Sequence, residues 1–358
     1  MYLNDKTKTI VDNCRFCWMC RHVCPIGNAT GQERNTARGR ALSVSLLVRG
    51  AATPLDVAEN VYECALCGAC TNNCMTGWDP RVFVQELKPE LLMGGAAPDF
   101  VTRLLENEQK TGNVWGEQDA RPDALFSAEG DTLLFMGQYA ALRCPDATEN
   151  ALALLQKAGV RPALTRGQDS GAALWFLTGK TAETKERAVA CAKAINHYAT
   201  VVVYDPVDLS LMLHEYKEWG IAVTARIVGF NEYLLSLIGA GKLRPGKSDR
   251  VYTPQDHYAY ARELEDTETL RRLIETVGTT REMLLHGKEA NMAGHAVMEA
   301  YMPAVIARAA QNRWQEARRM GLDTLVTENP AEHRALSAAC PAGCRVLSVE
   351  QMLMENML

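Results

Sequence analysis

The stretches CRFCWMCRHVCP at residues 14–25 and CALCGACTNNC at residues 64–74 decide the reading of this chain. Each sets its cysteines apart by two, two and three residues: Cys14, Cys17, Cys20 and Cys24, then Cys64, Cys67, Cys70 and Cys74. Three thiols that close can converge on one metal centre while a fourth turns away. Structural zinc prefers two paired ligands, a spacer and two more, and has no use for the third evenly spaced cysteine. Disulfides need a fixed geometry and an oxidising compartment. The amino-terminal MYLNDKTKTI is polar and lacks the apolar core of an export signal.

The repeated spacing is the one that binds [4Fe–4S] clusters in bacterial ferredoxins, where the fourth cysteine of a run ligates the other cube. Two [4Fe–4S] clusters are therefore expected, one on Cys14, Cys17, Cys20 and Cys74, the other on Cys64, Cys67, Cys70 and Cys24. The rest of the composition excludes several alternatives. A net charge of −5 gives no basic field for nucleic acid. No stretch approaches the roughly 20 unbroken apolar residues of a membrane span. Twelve cysteines without an export signal point to a reducing cytoplasm, with the inner face of a membrane reached only through a partner.

The pattern predicts an α+β multi-domain chain. Residues 1–92 form a helical two-cluster domain, 93–130 a connector anchored by Trp115, and 131–247 and 248–358 two α/β repeats. Within the first, Ala37–Val48 reads as a helix stopped by Gly50. Thr53-Pro54 and Asp79-Pro80 read as helix starts. Strand-like runs fall at 132–136, 173–177, 199–204, 250–253 and 324–327, with amphipathic stretches at 148–158, 185–197 and 266–277 between them. That alternation argues for parallel strands in α/β layers. Residues 133–160 parallel 250–278, and 192–216 parallel 317–339, with a strand ending in X-Pro before a helix in the second pair.

This layout, with CRHVCPIG, ARGRAL, YECALCGACTNNC, LLQKAGV, GFNEYLLSLIGAGKL and GLDTLVT, resembles the iron–sulfur subunits related to heterodisulfide reductase. That family includes the iron–sulfur subunits of anaerobic glycerol-3-phosphate dehydrogenase, glycolate oxidase and lactate-utilisation complexes. The resemblance implies that each α/β repeat is of the Cys-Cys-Gly type, with further cysteines after its first strand and in a Cys-Pro-x-Cys segment. Here those cysteines are missing. Gly137-Gln138 and Pro254-Gln255 follow the first strands, and neither 168–171 nor 290–294 holds a cysteine. The Cys-Pro-x-Cys positions read Asp205-Pro206-Val207-Asp208 and Asn329-Pro330-Ala331-Glu332. Soft thiolates bind iron–sulfur clusters and hard carboxylates do not, so both repeats are expected to lack a catalytic cluster. A small ligand lined by Gln138, Gln255, His257 and Asn291 is the alternative use of those cavities.

Four cysteines remain. Cys144 and Cys191 read as small buried residues, and Cys340 and Cys344 as a structural pair with metal or redox chemistry as the alternative. The histidines lack the spacing of a metal motif, and there is no dinucleotide fingerprint, P-loop or nucleophile elbow. Hydride chemistry thus falls to a partner. What the resemblance implies is an electron-transfer subunit, without catalytic residues of its own. It would work between a flavin-containing dehydrogenase subunit and a quinone-linked membrane subunit, a ferredoxin or an electron-transferring flavoprotein. A catalytic disulfide reductase and an iron–sulfur sensor or scaffold are the competing readings. Residues 15–50 carry six arginines against one acid, Glu33. Arg15 and Arg21, inside the first run, are expected to give the Cys14/Cys17/Cys20/Cys74 cluster the higher reduction potential.

Overall fold

The structure, a computed structural model, describes residues 5–15 and 17–358. Residues 1–4 of the amino-terminal stretch considered above lie outside it. The chain forms two compact units. One joins residues 5–116 to Ala173–Thr184 and Asn291–Asn312, and the other holds Glu117–Ala172, Lys185–Ala290 and Arg313–Leu358. The chain thus returns twice to the unit bearing the ligand runs, with segments that a linear division assigns to the α/β repeats.

The described part of the first unit is helical, and local chemistry sets its boundaries. Thr36 caps Ala37–Val48 by accepting the Gly39 N–H at 3.2 Å. That helix buries Ala37, Arg40, Ala41 and Val44, a single face at helical spacing. Pro54 opens Pro54–Tyr62, where the Asp56 carboxylate accepts the Thr53 N–H at 2.8 Å. The Asp79 carboxylate accepts the Arg81 N–H at 3.0 Å and starts Arg81–Met93. The expected connector contributes helix Asp99–Thr111 to this unit. Trp115 is buried, and its indole N–H donates to the Ala296 carbonyl at 3.2 Å.

The second unit holds two parallel sheets. Strands β1 (Thr132–Phe135), β2 (Thr200–Val203) and β3 (Arg226–Gly229) run in the order β1-β2-β3. Strands β4 (Val251–Gln255), β5 (Thr279–Thr280), β6 (Thr324–Thr327) and β7 (Arg345–Ser348) run β5-β4-β6-β7. Helices starting at Pro206 and Pro330 follow β2 and β6 after Asp205 and Asn329, whose side chains cap them. One apolar core, including Leu134, Val202, Val228, Tyr252, Val326 and Leu347, serves both sheets.

Two expectations are corrected. Residues 173–177 are not a strand but lie in helix Ala172–Thr178, where the Thr178 hydroxyl donates to the Leu174 carbonyl at 2.9 Å. A short unbroken apolar run has no period to separate helix from strand. The first pair of parallel segments also aligns three residues away from the sequence match, while Asp205 and Asn329 correspond as read. Phe135 pairs with Val203 and Gln255 with Thr327, so the counterpart of Gly137 is His257 rather than Pro254.

Candidate iron–sulfur centre

The two ligand runs fold alike. After the second cysteine of each, one residue takes the left-handed conformation: Trp18 at φ 71° and Gly68 at φ 71°. Each then caps a short helix, Met19–Val23 or Ala69–Asn72, whose second residue is the third cysteine. The two helices pack against each other. Glycine adopts that conformation freely and tryptophan does not. Trp18 is held by cations on its ring, Arg38 at 3.7 Å and Arg21 at 5.4 Å from the centroid.

This turn brings the runs together crosswise. Cys14, Cys17, Cys20 and Cys74 line one open cleft of about 400 Å³, with Cys70 also in its wall. Cys24 lies among the thiols of the second run. Burial pushes its thiol up to about 12, with Cys67 and Cys64 adding repulsion against Arg40 and the Gly27 N–H. Cys70 is raised well above its ordinary value by burial, then by Cys64, Cys67, Cys24 and Cys20, so it adjoins both sets. Donors address the sulfurs. The Gly27 N–H reaches Cys24 Sγ and the Leu66 N–H reaches Cys64 Sγ, both at 3.4 Å. At Cys74 burial acts upward, but the Thr76 hydroxyl, 3.3 Å away, and nearby N–H groups hold the thiol below its usual value. A set of thiolates ringed by N–H donors suits an iron–sulfur cube, whose potential such bonds tune.

Of the arginines noted in the sequence, Arg15 and Arg38 line the first cleft. Arg15 and Arg21 are exposed and have no carboxylate partner among the described residues. Water and salt screen such charges. Two other cations, Arg40 and Lys88, are buried in the ligand-bearing unit, and Arg40 donates at 3.1 Å to the Asn35 carbonyl that also accepts from the Cys24 thiol at 3.3 Å. Burial lowers the Lys88 ammonium to about 7. Arg40 is one of the six arginines counted in residues 15–50, whereas sequence reasoning missed Lys88; each interrupts an apolar helical face. Lys88 shares one with Phe83, Val84, Leu87 and Leu91, and Arg40 shares one with Ala37, Ala41 and Val44.

In the α/β unit the positions named for missing cysteines are filled by hydrogen bonds. Ser170 Oγ donates to Asp208, and Gln168 bridges the end of β1 through the Met136 N–H and Leu134 carbonyl, both at 2.7 Å. Gln255 Nε2 lies 3.3 Å from both Glu332 oxygens, and Arg313 Nε donates to Gln255 Oε1 at 2.6 Å. The halves meet through reciprocal pairs. Tyr204 donates to Glu350 at 2.8 Å, Asn231 to Glu328 at 3.1 Å, and Asn329 to Asp205 at 3.1 Å. Of the proposed ligand cavity, Gln255 and His257 are buried and Gln138 is half-buried. All twelve cysteines are free of disulfides; Cys191 is buried and Cys344 Sγ accepts from Arg318 at 3.3 Å.

Burial raises Asp205 to about 6 and Asp208 well above the usual carboxylate range. A folded state that holds a proton more tightly is most stable below the unfolded value near 3.8 and loses stability as pH rises through 6. Urea unfolding at pH 5 and pH 7 is expected to show the α/β unit weaker at pH 7. Asp205→Asn, which can still cap the helix, should narrow that difference by on the order of 1 kcal/mol. An unchanged difference would refute the assignment.

Residues 10–78 match the family described as a 4Fe-4S dicluster domain. The chain is thus an iron–sulfur protein with a ferredoxin-like 4Fe–4S domain in a mixed α/β structure. Among solved structures, a hypothetical protein from Helicobacter pylori superposes with a TM-score of 0.56 over 99% of this chain and 73% of that one, at 12% identity. That likeness concerns the fold alone. No curated protein matches the sequence. No helix of the described residues is long and apolar enough to cross a membrane.

Proposed function

We propose that this chain relays single electrons through two [4Fe–4S] clusters, held by Cys14, Cys17, Cys20 and Cys74 and by Cys64, Cys67, Cys70 and Cys24. The observation that carries the reading is the crossed grouping: Cys74 shares a cleft with the first run, and Cys24 feels the thiols of the second. Such clusters supply one-electron redox chemistry, which matches the two-electron output of a flavin to one-electron carriers. The chain's own part is to hold the thiolates, direct N–H groups at them and shield one set from water. The α/β unit acts as a scaffold related to the Cys-Cys-Gly repeats of heterodisulfide reductase subunits, with side-chain hydrogen bonds in place of cluster ligands. No substrate bond is broken in this chain.

Its partners are a flavin-containing dehydrogenase subunit and a quinone-linked membrane subunit, a ferredoxin or an electron-transferring flavoprotein, and the complex works in the cytoplasm or at the inner face of the membrane. Electron exchange takes place at the first cleft. Cys17 is exposed, and Trp18, Met19 and Met75, exposed by 43%, 44% and 85%, border it. Arg15 and Arg21, exposed and without a carboxylate partner among the described residues, suit an acidic carrier. Replacing both, Arg15→Glu with Arg21→Glu, is expected to slow electron transfer to an acidic flavodoxin about tenfold at low salt, with the difference vanishing at high salt. Equal rates in stopped-flow traces at low salt would exclude this docking edge. The reading as a whole is tested by iron and sulfide analysis of anaerobically purified protein, which should give about eight of each per chain. Colourless or zinc-loaded protein would overturn it.

A further inference from the structure

Trp18 stands where the second ligand run has Gly68, and both residues hold φ 71°. Glycine takes that conformation freely, whereas a tryptophan in it carries backbone strain. Burial does not offset the strain, because the residue stays 43% exposed. Two cations face the ring instead. The Arg38 guanidinium carbon lies 3.7 Å from the ring centroid and that of Arg21 5.4 Å. Arg38 is itself braced, with Nη1 donating to Glu33 Oε1 at 2.8 Å. Trp18 and Arg38 both line the first cleft, together with Cys14, Cys17 and Cys20.

Gly68 in the same turn of the second run shows that this turn forms without a side chain at that position. Strained backbone beside a reactive centre, bearing an exposed ring, points to a use outside the chain. The surroundings of the ring define that use. Met19 and Met75 are exposed and line the same cleft, so the apolar surface extends past the ring. Arg21 lies against the ring and Arg15 lines the cleft. Aromatic and methionine side chains are enriched at the centres of protein interfaces, and a border of arginines selects an acidic partner.

We propose that Trp18 is the anchor on which an acidic one-electron carrier protein docks against the first cluster, and that Arg38, braced by Glu33, is the positioning residue that presents it. The inference deepens the electron-relay reading above and rests on it. Trp18 follows Cys17 directly and caps the helix that carries Cys20, so a carrier seated on the ring sits close to two ligands of that site. One electron leaves the first cluster as the carrier gains one, and no bond forms or breaks at the ring.

The test uses the whole, cluster-loaded chain with an acidic flavodoxin as the probe. Trp18→Gly gives the first run the glycine that the second already has. It should not lower the urea midpoint, and it should keep about eight irons and both reduction potentials. It should nevertheless weaken flavodoxin binding in calorimetry and slow electron transfer in stopped-flow traces, each about tenfold. Trp18→Phe, which keeps a ring, should retain most of both. Arg38→Ala should weaken binding in the same way, and Arg38→Lys, which keeps a cation over the ring, should restore most of the affinity. Binding and rates equal to wild type in Trp18→Gly would overturn the proposal. Iron loss from Trp18→Gly would make the ring structural, and a shifted potential with unchanged binding would make it a cover for the cluster; either result overturns the proposal. Loss of self-association in Trp18→Gly, with flavodoxin binding intact, would assign the patch to a second copy of the chain and overturn it as well. A wild-type chain with about four irons or none is a failure of the relay reading instead, visible before any variant is compared.

Discussion

Cys74→Ala should leave the protein with about four irons in place of about eight, although Cys74 lies in the second run. The crossed arrangement makes the sharper expectation one of additivity. Cys14→Ala combined with Cys74→Ala removes two ligands of the same site, so about four irons should remain. Cys14→Ala combined with Cys24→Ala strikes both sites, and nearly all the iron should be lost. If each run closed on itself, the two double variants would exchange outcomes. The physical basis is the cleft in which Cys74 joins Cys14, Cys17 and Cys20, while Cys24 shares its surroundings with Cys64 and Cys67. Iron and sulfide analysis of four purified variants settles the matter, with Cys344→Ala as a control that keeps the full count.

Gly137→Ala should produce the largest loss of stability in the α/β unit. Gly137 has φ 78° and ψ 162°, a region essentially reserved for glycine. A Cβ there would lie 1.9 Å from Asp208 Oδ2. Backbone strain alone is worth about 1–3 kcal/mol, and the overlap brings the expected total to about 3–5 kcal/mol, a large share of the stability of an ordinary domain. Adding Asp208→Ala should relieve only the overlap and leave about 1–3 kcal/mol of strain. A Gly137→Ala chain whose urea midpoint matches wild type would show that the turn after β1 is not built as described.

The legible parts of the sequence were those with strong local chemistry. Thr36, Thr53 and Asp79 mark their helix starts by side-chain capping, and Pro206 and Pro330 mark the turns out of β2 and β6. The cysteine spacing carried the dicluster domain, which the family match covers at residues 10–78. Short elements were harder. Strands β3 and β7 have four residues each and begin with an exposed arginine, so they offer little pattern to read. The apolar run at Ala172–Thr178 had no period to reveal a helix. Long-range pairing was invisible too: nothing local says that Phe176 will accept a bond from Lys88. The available signal was a lysine standing among Phe83, Val84, Leu87 and Leu91.

The join between the two α/β halves has a consequence for assembly. Equivalent positions face each other across it with unlike chemistry: Tyr204 meets Glu350 where Glu328 meets Asn231, and Asp205 meets Asn329. Two copies of the first half would bring Asp205 against Asp205, and two copies of the second would bring Glu328 against Glu350. Each mismatch sets acid against acid in a dry seam, at a steep cost. The halves are thus keyed to one another and not to themselves, and a fragment released by cleavage between them would have no twin to replace its missing mate.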